Sequence, residues 1–285
     1  MKFPWYKYEE IPSYRKNTLQ IFLTSKCNLK CNGCFARNIG GNNQEISLSE
    51  YNSIISNFLK KDGKQINFLG GEPLLHSKIK EFVKINEEKN IKTTIYTNGY
   101  FLDKFNKDDF KNSKLRVSLY CKSGGIKSAE KLKRTEMPLE VCYMTSKSTI
   151  LEELLGSAKI IEENYNSNVF FISSIRELDN PHQEFFEDTN LTMPVMDYKR
   201  LVHKFLDNYE GNMEIHVSKR GVFESTKTIS GNKCKFANYF PGGKIIQCPY
   251  DTVNLKFQKD YEFDIRNCQH NNSCLMSKVI YKRKI

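Results

Sequence analysis

No stretch of this 285-residue sequence approaches the apolar length needed to span a bilayer. Its start, Met1-Lys2-Phe3-Pro4-Trp5, is aromatic and polar and lacks the apolar run of a signal peptide, so a cytoplasmic protein is expected. There is no internal repeat and no low-complexity segment, so a stacked-repeat architecture is excluded as well. With 39% hydrophobic residues the chain has no shortage of core-forming side chains, and its length suffices for one large α/β domain with an appendage. Nine cysteines in a small secreted protein would read as disulfides, but a reducing compartment keeps thiols unbridged. Clustered thiols then point to metal. The net charge of +11 comes from lysines scattered along the chain beside Glu and Asp, so it reads as a solvated surface, and nucleic acid is not expected as a partner.

Apolar, β-rich segments alternate with amphipathic ones, as in repeated βα units around a parallel sheet. Candidate strands are Leu19 to Thr24, Gln65 to Leu69, Lys92 to Thr97, Leu115 to Tyr120, Leu139 to Thr145 and Asn168 to Ile175. Candidate helices are Leu48 to Lys61, Ser77 to Lys89, Asp103 to Lys111, Gly125 to Arg134 and Ile150 to Tyr165. Ser47-Leu48-Ser49-Glu50 has the form of a capping box at the first of them. A polar stretch, 176–194, with Pro181 and Pro194 reads as a linker or substrate-covering loop. It is followed by a helix candidate at Val195 to Tyr209, a strand at Met213 to Ser218 and a Gly- and Cys-rich tail. The fold class expected is α/β: a partial (βα)6 TIM-like barrel with a small Cys-rich C-terminal domain. The divisions are an extension over 1–18, the barrel over 19–218 and the tail over 219–285.

Cys27-Asn28-Leu29-Lys30-Cys31-Asn32-Gly33-Cys34 puts three thiols directly after the first strand. Loops at the carboxyl ends of barrel strands form the active face, so three thiolates there can grip one metal centre and leave a position open. Gly70-Gly71-Glu72-Pro73 follows the second strand and Thr97-Asn98-Gly99 ends the third. Together these resemble the radical S-adenosylmethionine superfamily, whose enzymes carry Cys-x-x-x-Cys-x-x-Cys after the first strand of a partial barrel. The resemblance implies that Cys27, Cys31 and Cys34 ligate a [4Fe-4S] cluster and that S-adenosylmethionine binds its fourth iron. It implies cofactor contacts from Gly70, Gly71, Glu72, Pro73, Asn98 and Ser118, with Arg116 added from its lumen position. The family commonly has an aromatic just before the third cysteine; this chain has Gly33 there and Phe35 just after, and Phe35 joins the cofactor-binding set.

Strand alternation sends Arg116, Ser118 and Tyr120 into the lumen, with Thr94, Tyr96 and Asn98 on the strand before and Glu140, Cys142 and Met144 on the strand after. Cys142, and Cys121 just beyond its strand, are candidate hydrogen-atom donors, against the plainer reading that a buried cysteine merely packs. Cys234, Cys248, Cys268 and Cys274 can close a zinc site or hold a complete cluster. Their segment looks like the Twitch or SPASM extensions of the same superfamily, which implies one auxiliary [4Fe-4S] cluster. The function expected is hydrogen abstraction from a peptide side chain or a small polar metabolite such as a sugar, with flavodoxin or ferredoxin as electron donor. A glycyl-radical activase and a zinc-stabilised nucleic-acid module are the alternatives.

Overall fold

The computed structural model describes residues 6–11, 18–31, 44–120, 129–130, 132–174, 193–218, 233–234, 236–246, 266–267 and 278–283. Within them lies an 11-stranded sheet whose centre is the expected barrel. Its strands are β1 (Tyr6–Ile11), β2 (Thr18–Phe22), β3 (Gln65–Leu69), β4 (Lys92–Thr97), β5 (Ser113–Tyr120), β6 (Leu139–Thr145), β7 (Ser167–Ser174), β8 (Glu214–Ser218), β10 (Phe236–Phe240), β11 (Lys244–Ile246) and β13 (Lys278–Arg283). They lie in the order β1-β13-β8-β7-β6-β5-β4-β3-β2-β10-β11. From β10 to β8 every neighbour pair is parallel. β1, β13 and β11 run antiparallel at the edges. The short strands β9 (Lys233–Cys234) and β12 (Arg266–Asn267) form a separate pair.

One face of the sheet is covered by α1 (Leu48–Lys60), α2 (Ile79–Glu88), α3 (Leu151–Asn164) and α4 (Val195–Asn208). The expected cap of α1 is made: Ser47 Oγ accepts the Glu50 amide at 3.1 Å, worth about 1 kcal/mol. Tyr51, Ile54, Ile55 and Phe58 then recur at helical spacing and are buried. They share one core with the alternating side chains of the strands: Leu19 and Ile21 on β2, Ile66 and Phe68 on β3, Leu115, Val117 and Leu119 on β5. Buried polar groups between α1, α2 and β4 bond one another. Tyr51 OH donates to Asn86 Oδ1 at 2.6 Å, and Asn86 Nδ2 donates to Thr93 Oγ1 at 3.0 Å, tying α1, α2 and β4 together.

The helix expected over Asp103 to Lys111 is instead two 3-10 turns, Leu102–Lys104 and Lys107–Phe110. Asn106 is the cause: it is extended and caps the second turn, accepting from the Asp108 and Asp109 amides while Asp109 accepts its own. Of the helix expected over Gly125 to Arg134, the described residues are 129, 130 and 132–134, of which only Ala129 and Glu130 are helical; the 176–194 segment lies outside the described residues except for its last two. Of the described tail strands, β10, β11 and β13 join the barrel sheet, β10 beside β2 and β13 between β8 and β1, whereas β9 and β12 do not. The turn between β10 and β11 carries Gly242 and Gly243, both near φ +80°.

Candidate active site

The loops after β2, β3 and β4 meet at the carboxyl ends of these adjacent strands. Beyond β2, the Leu23 amide still bonds Leu69 O at 2.8 Å, and the segment Thr24 to Lys26 then runs beside the glycine turn. Gly71 N donates to Thr24 O at 2.7 Å and Glu72 N to Lys26 O at 2.8 Å. A Cβ on Gly70 would stand 2.6 Å from Thr24 O, and one on Gly71 would stand 2.6 Å from Lys26 C and 2.8 Å from Ser25 O. The glycines are therefore required by the backbone that leads into the cysteine loop. The far side of that loop is fixed by Ser25 N donating to Gln44 O at 2.9 Å and by the Lys26–Glu45 ion pair at 3.2 Å. Cys27 and Cys31 are thus carried between pinned ends.

Glu72, expected from the sequence to contact the cofactor, is buried, with only 1% of its surface exposed. Its Oε1 accepts from Leu74 N at 3.0 Å and Thr97 Oγ1 at 2.7 Å, and its Oε2 accepts from Asn98 N at 2.8 Å. Burial pushes the carboxyl up to about 7, against the lowering effect of these three donors. Asn98 in turn donates from Nδ2 to Asn28 Oδ1 at 2.8 Å, reaching into the cysteine motif itself. Gly99 adopts φ +80°, where its Cβ would meet Leu132 Cδ2 at 2.5 Å. The chain Glu72, Asn98, Asn28 links the second and third strand ends to the cysteines. Asn28 and Thr97 were not singled out by role in the sequence, although both sit inside quoted motifs.

Cys27 is exposed and Cys31 is half-buried, whereas Cys142 is buried. Cys27 Sγ accepts the Leu29 amide at 3.4 Å, a bond that favours a thiolate. Two accessible thiols on a pinned strand-end loop fit the soft ligand set of an iron–sulfur centre. Cys34 and Phe35 lie outside the described residues, as do Cys121, Cys248, Cys268 and Cys274; of Cys234 the backbone alone is described.

The lumen face carries the charged and polar groups expected of it. Arg116 donates from Nε and Nη2 to Glu140 Oε2 at 3.2 and 2.5 Å and from Nη1 to Tyr96 OH at 3.3 Å. Its guanidinium lies 5.3 Å from the Tyr96 ring and 5.7 Å from that of Phe171. Glu140 also receives Lys114 at 3.0 Å. Despite burial, Arg116 and Lys114 lower the Glu140 carboxyl to about 2. Arg116 thus spends three of its donors within the protein. Ser118 pairs across the strands with Cys142, and Cys142 with Phe171. Burial pushes the Cys142 thiol up to about 12, with Arg116 acting in the opposite sense. Its Sγ is 3.7 Å from Met144 Sδ.

Parallel strands whose carboxyl ends hold a pinned cysteine loop define a barrel with its reactive centre at the mouth. The chain carries a radical SAM domain: the family model described as the Radical SAM superfamily matches residues 21–136. Its cofactors are accordingly a [4Fe-4S] cluster and S-adenosylmethionine. Among its relatives, the GTP 3',8-cyclase of Chlorobaculum tepidum is 36% identical over 88 residues, 30% of this chain and 27% of that protein. The aligned segment therefore spans little more than a quarter of that relative. The GTP 3',8-cyclase of Helicobacter pylori is 24% identical over 264 residues, 84% of this chain and 82% of that protein. Streptococcus suis SuiB bound to precursor peptide SuiA superposes with a TM-score of 0.64 at 19% identity, over 85% of this chain and 62% of that one. That likeness is one of fold. No helix among the described residues is long and apolar enough to cross a membrane.

Proposed function

We propose that Cys27, Cys31 and Cys34 hold the cluster, and that the enzyme abstracts hydrogen from a small polar metabolite or a peptide side chain seated in the lumen. The observation that carries this reading is the set of direct bonds joining the cysteine loop to the ends of β3 and β4, through Gly71, Glu72, Asn98 and Asn28. When bound, the cluster supplies the electron for reductive cleavage of S-adenosylmethionine. Gly70, Gly71, Pro73, Asn98, Ser118 and Phe35 are the groups assigned to face the cofactor. Glu72 acts behind them, holding Thr97 and Asn98 in place.

Arg116, Tyr96 and Glu140 form the floor on which the substrate rests. Cys142 is the assigned hydrogen-atom donor: it shares a cross-strand row with Ser118 and keeps its S–H at neutral pH. Cys121 remains an alternative donor. A purine nucleotide is a second reading of the substrate. It is favoured by the GTP 3',8-cyclase likeness along most of the chain and by Lys114 and Arg116 sharing one carboxylate, which leaves a net positive charge.

Cys234, Cys248, Cys268 and Cys274 are assigned one auxiliary [4Fe-4S] cluster. The pairing of Cys234 with Arg266, two residues before Cys268 in sequence, supports this. An acidic donor such as flavodoxin or ferredoxin suits the net charge of +11, and a cytoplasmic location suits reduced thiols.

The test is anaerobic reconstitution with iron and sulfide, followed by a strong reductant and S-adenosylmethionine. Released 5′-deoxyadenosine is expected, and none when Cys27, Cys31 and Cys34 are all replaced by alanine. Unchanged release from that variant refutes the assignment.

A further inference from the structure

β8 carries a column of polar side chains that none of the roles above uses. Glu214, His216 and Ser218 alternate along it, while Ile215 and Val217 between them pack into the helix-side core. The three therefore leave the sheet on the lumen face. Exposure falls toward the mouth: 32% for the Glu214 side chain, 5% for that of His216, and 1% for Ser218. Glu214 Oε2 lies 3.3 Å from His216 Nε2, and Lys282 Nζ of β13 lies 2.9 Å from Glu214 Oε1. Burial raises the Glu214 carboxyl, but Lys282 and His216 outweigh it and hold the group below its usual range.

At the other end of the column, Ser218 Oγ is buried without a hydrogen-bond partner among the described residues. A sheet strand gains nothing from an orphaned hydroxyl and a buried imidazole in such a place, since each costs desolvation. The strand register gives them a location. Ser118 pairs with Cys142, Cys142 with Phe171, and Phe171 with His216. His216 is thus in the row that contains Ser118 and the proposed donor Cys142, and the Phe171 ring meets its imidazole edge-on at 6.4 Å.

We propose that His216 and Glu214 form a proton path between the lumen and solvent at the β8–β13 edge, with Ser218 anchoring the substrate group that feeds it. It serves a substrate bearing a hydroxyl or amino group at the reacting carbon. This rests on the lumen being the reaction chamber, as proposed above. A proton leaving the substrate's O–H or N–H passes to the imidazole, while the Ser218 hydroxyl, which makes no bond to the ring, hydrogen-bonds the same substrate group. The resulting imidazolium is stabilised by the Glu214 carboxylate beside Nε2. The ring then releases a proton through Glu214 to water. One proton enters at the lumen, one leaves at the edge, and no electron moves. Among the described residues, the charged groups around the ring include Glu214 from its own strand, Lys282 from β13 through Glu214, and Arg116 of β5 beyond the Phe171 ring of β7.

Histidine C2-hydrogen exchange in D2O, read by mass spectrometry on the reconstituted protein between about pH 5 and about pH 9, tests the path. His216 should exchange along a sigmoidal pH curve despite its burial, within about tenfold of an unfolded-chain histidine at matched pH. Glu214→Gln should lower the midpoint by about one pH unit, because the ring loses its counter-charge. Should that variant fold poorly, Lys282→Met, at an exposed position, should raise the midpoint by leaving the Glu214 charge uncompensated. A ring that stays unexchanged for days, or a midpoint that neither variant moves, overturns the path. Release of 5′-deoxyadenosine from the same preparation separates the two ideas. Its absence overturns the proposed function and leaves the His216 result standing, whereas a sealed ring with normal release overturns the path alone.

Discussion

Replacing Glu72 tests the structural reading of the Gly-Gly-Glu-Pro turn, because the carboxylate is committed to three donors in the protein. Alanine at this position leaves the Leu74 amide, the Asn98 amide and the Thr97 hydroxyl facing a void in a region that is buried. Each orphaned donor costs on the order of 1 to 3 kcal/mol. The loss is offset by removing a charge whose burial is itself unfavourable. With the folded carboxyl at about 7 against 4.5, and about 1.4 kcal/mol for each tenfold change in proton affinity, that burden is about 3 kcal/mol at high pH. Taking about 2 kcal/mol for each of the three donors, the net loss for Glu72→Ala is about 3 kcal/mol near neutral pH, and about 3 kcal/mol larger in acid, where the wild-type group is protonated and carries no such burden. Against a typical stability of about 5 to 15 kcal/mol this is readily measured.

The sign follows from linkage. A carboxyl that binds its proton more tightly folded than unfolded gives stability that is fully present below about 4.5 and is lost as pH rises to about 7. Anaerobic urea unfolding followed by circular dichroism at several pH values should show that fall in the wild type. Glu72→Gln should flatten it. A Glu72→Ala variant within about 1 kcal/mol of wild type, with S-adenosylmethionine affinity lost, would refute the reasoning and return Glu72 to the role of a direct cofactor ligand.

Two further outcomes follow from the site. Gly71→Ala, whose Cβ would press on the Lys26 backbone, should push the cysteine loop off the glycine turn and cut iron incorporation by about half or more while the barrel stays folded; unchanged iron content would show that the loop is not braced there. In D2O, 5′-deoxyadenosine formed without substrate should carry deuterium taken from the Cys142 thiol, and Cys142→Ala should remove that label; equal labelling in both would exclude Cys142 as a hydrogen donor.

Strands β2 to β7 were legible because each is a short β-rich run between amphipathic segments, and β5 alternates cleanly, with Leu115, Val117 and Leu119 against Arg116 and Ser118. The cysteine loop and the two turns beside it were legible because their residue types and order are informative on their own. What Glu72 does was not legible, since its acceptors are used by Thr97 and Asn98, 25 and 26 residues further on. The turn region after β4 was misread for a local reason: the apolar spacing of Leu102, Phe105 and Phe110 suits a helix, but Asn106 satisfies its neighbours' amides more readily as a cap than as a helical residue. Asn98 was named for its motif, but its bond to Asn28 spans 70 residues and has no sequence signature.

The tail shows the same limit at larger scale and changes how the site is braced. Read alone, Gly231 to Cys274 is too short for an independent core and would need a staple such as a metal. The structure supplies another, because β10 pairs in parallel with β2, more than two hundred residues earlier in the chain, from Phe236 opposite Thr18 to Tyr239 opposite Ile21. Phe240 then stacks on Phe22, the last residue of β2, with ring centroids 4.1 Å apart, worth about 1 kcal/mol beyond the area buried. On the opposite face Tyr239 OH donates to Glu50 Oε1 at 2.9 Å, joining β10 to the first turn of α1. The strand that delivers Cys27 is therefore held on one side by β3 and on the other by the tail. A change that loosens β10 acts on the cysteine loop through β2, so the tail and the barrel centre are mechanically coupled.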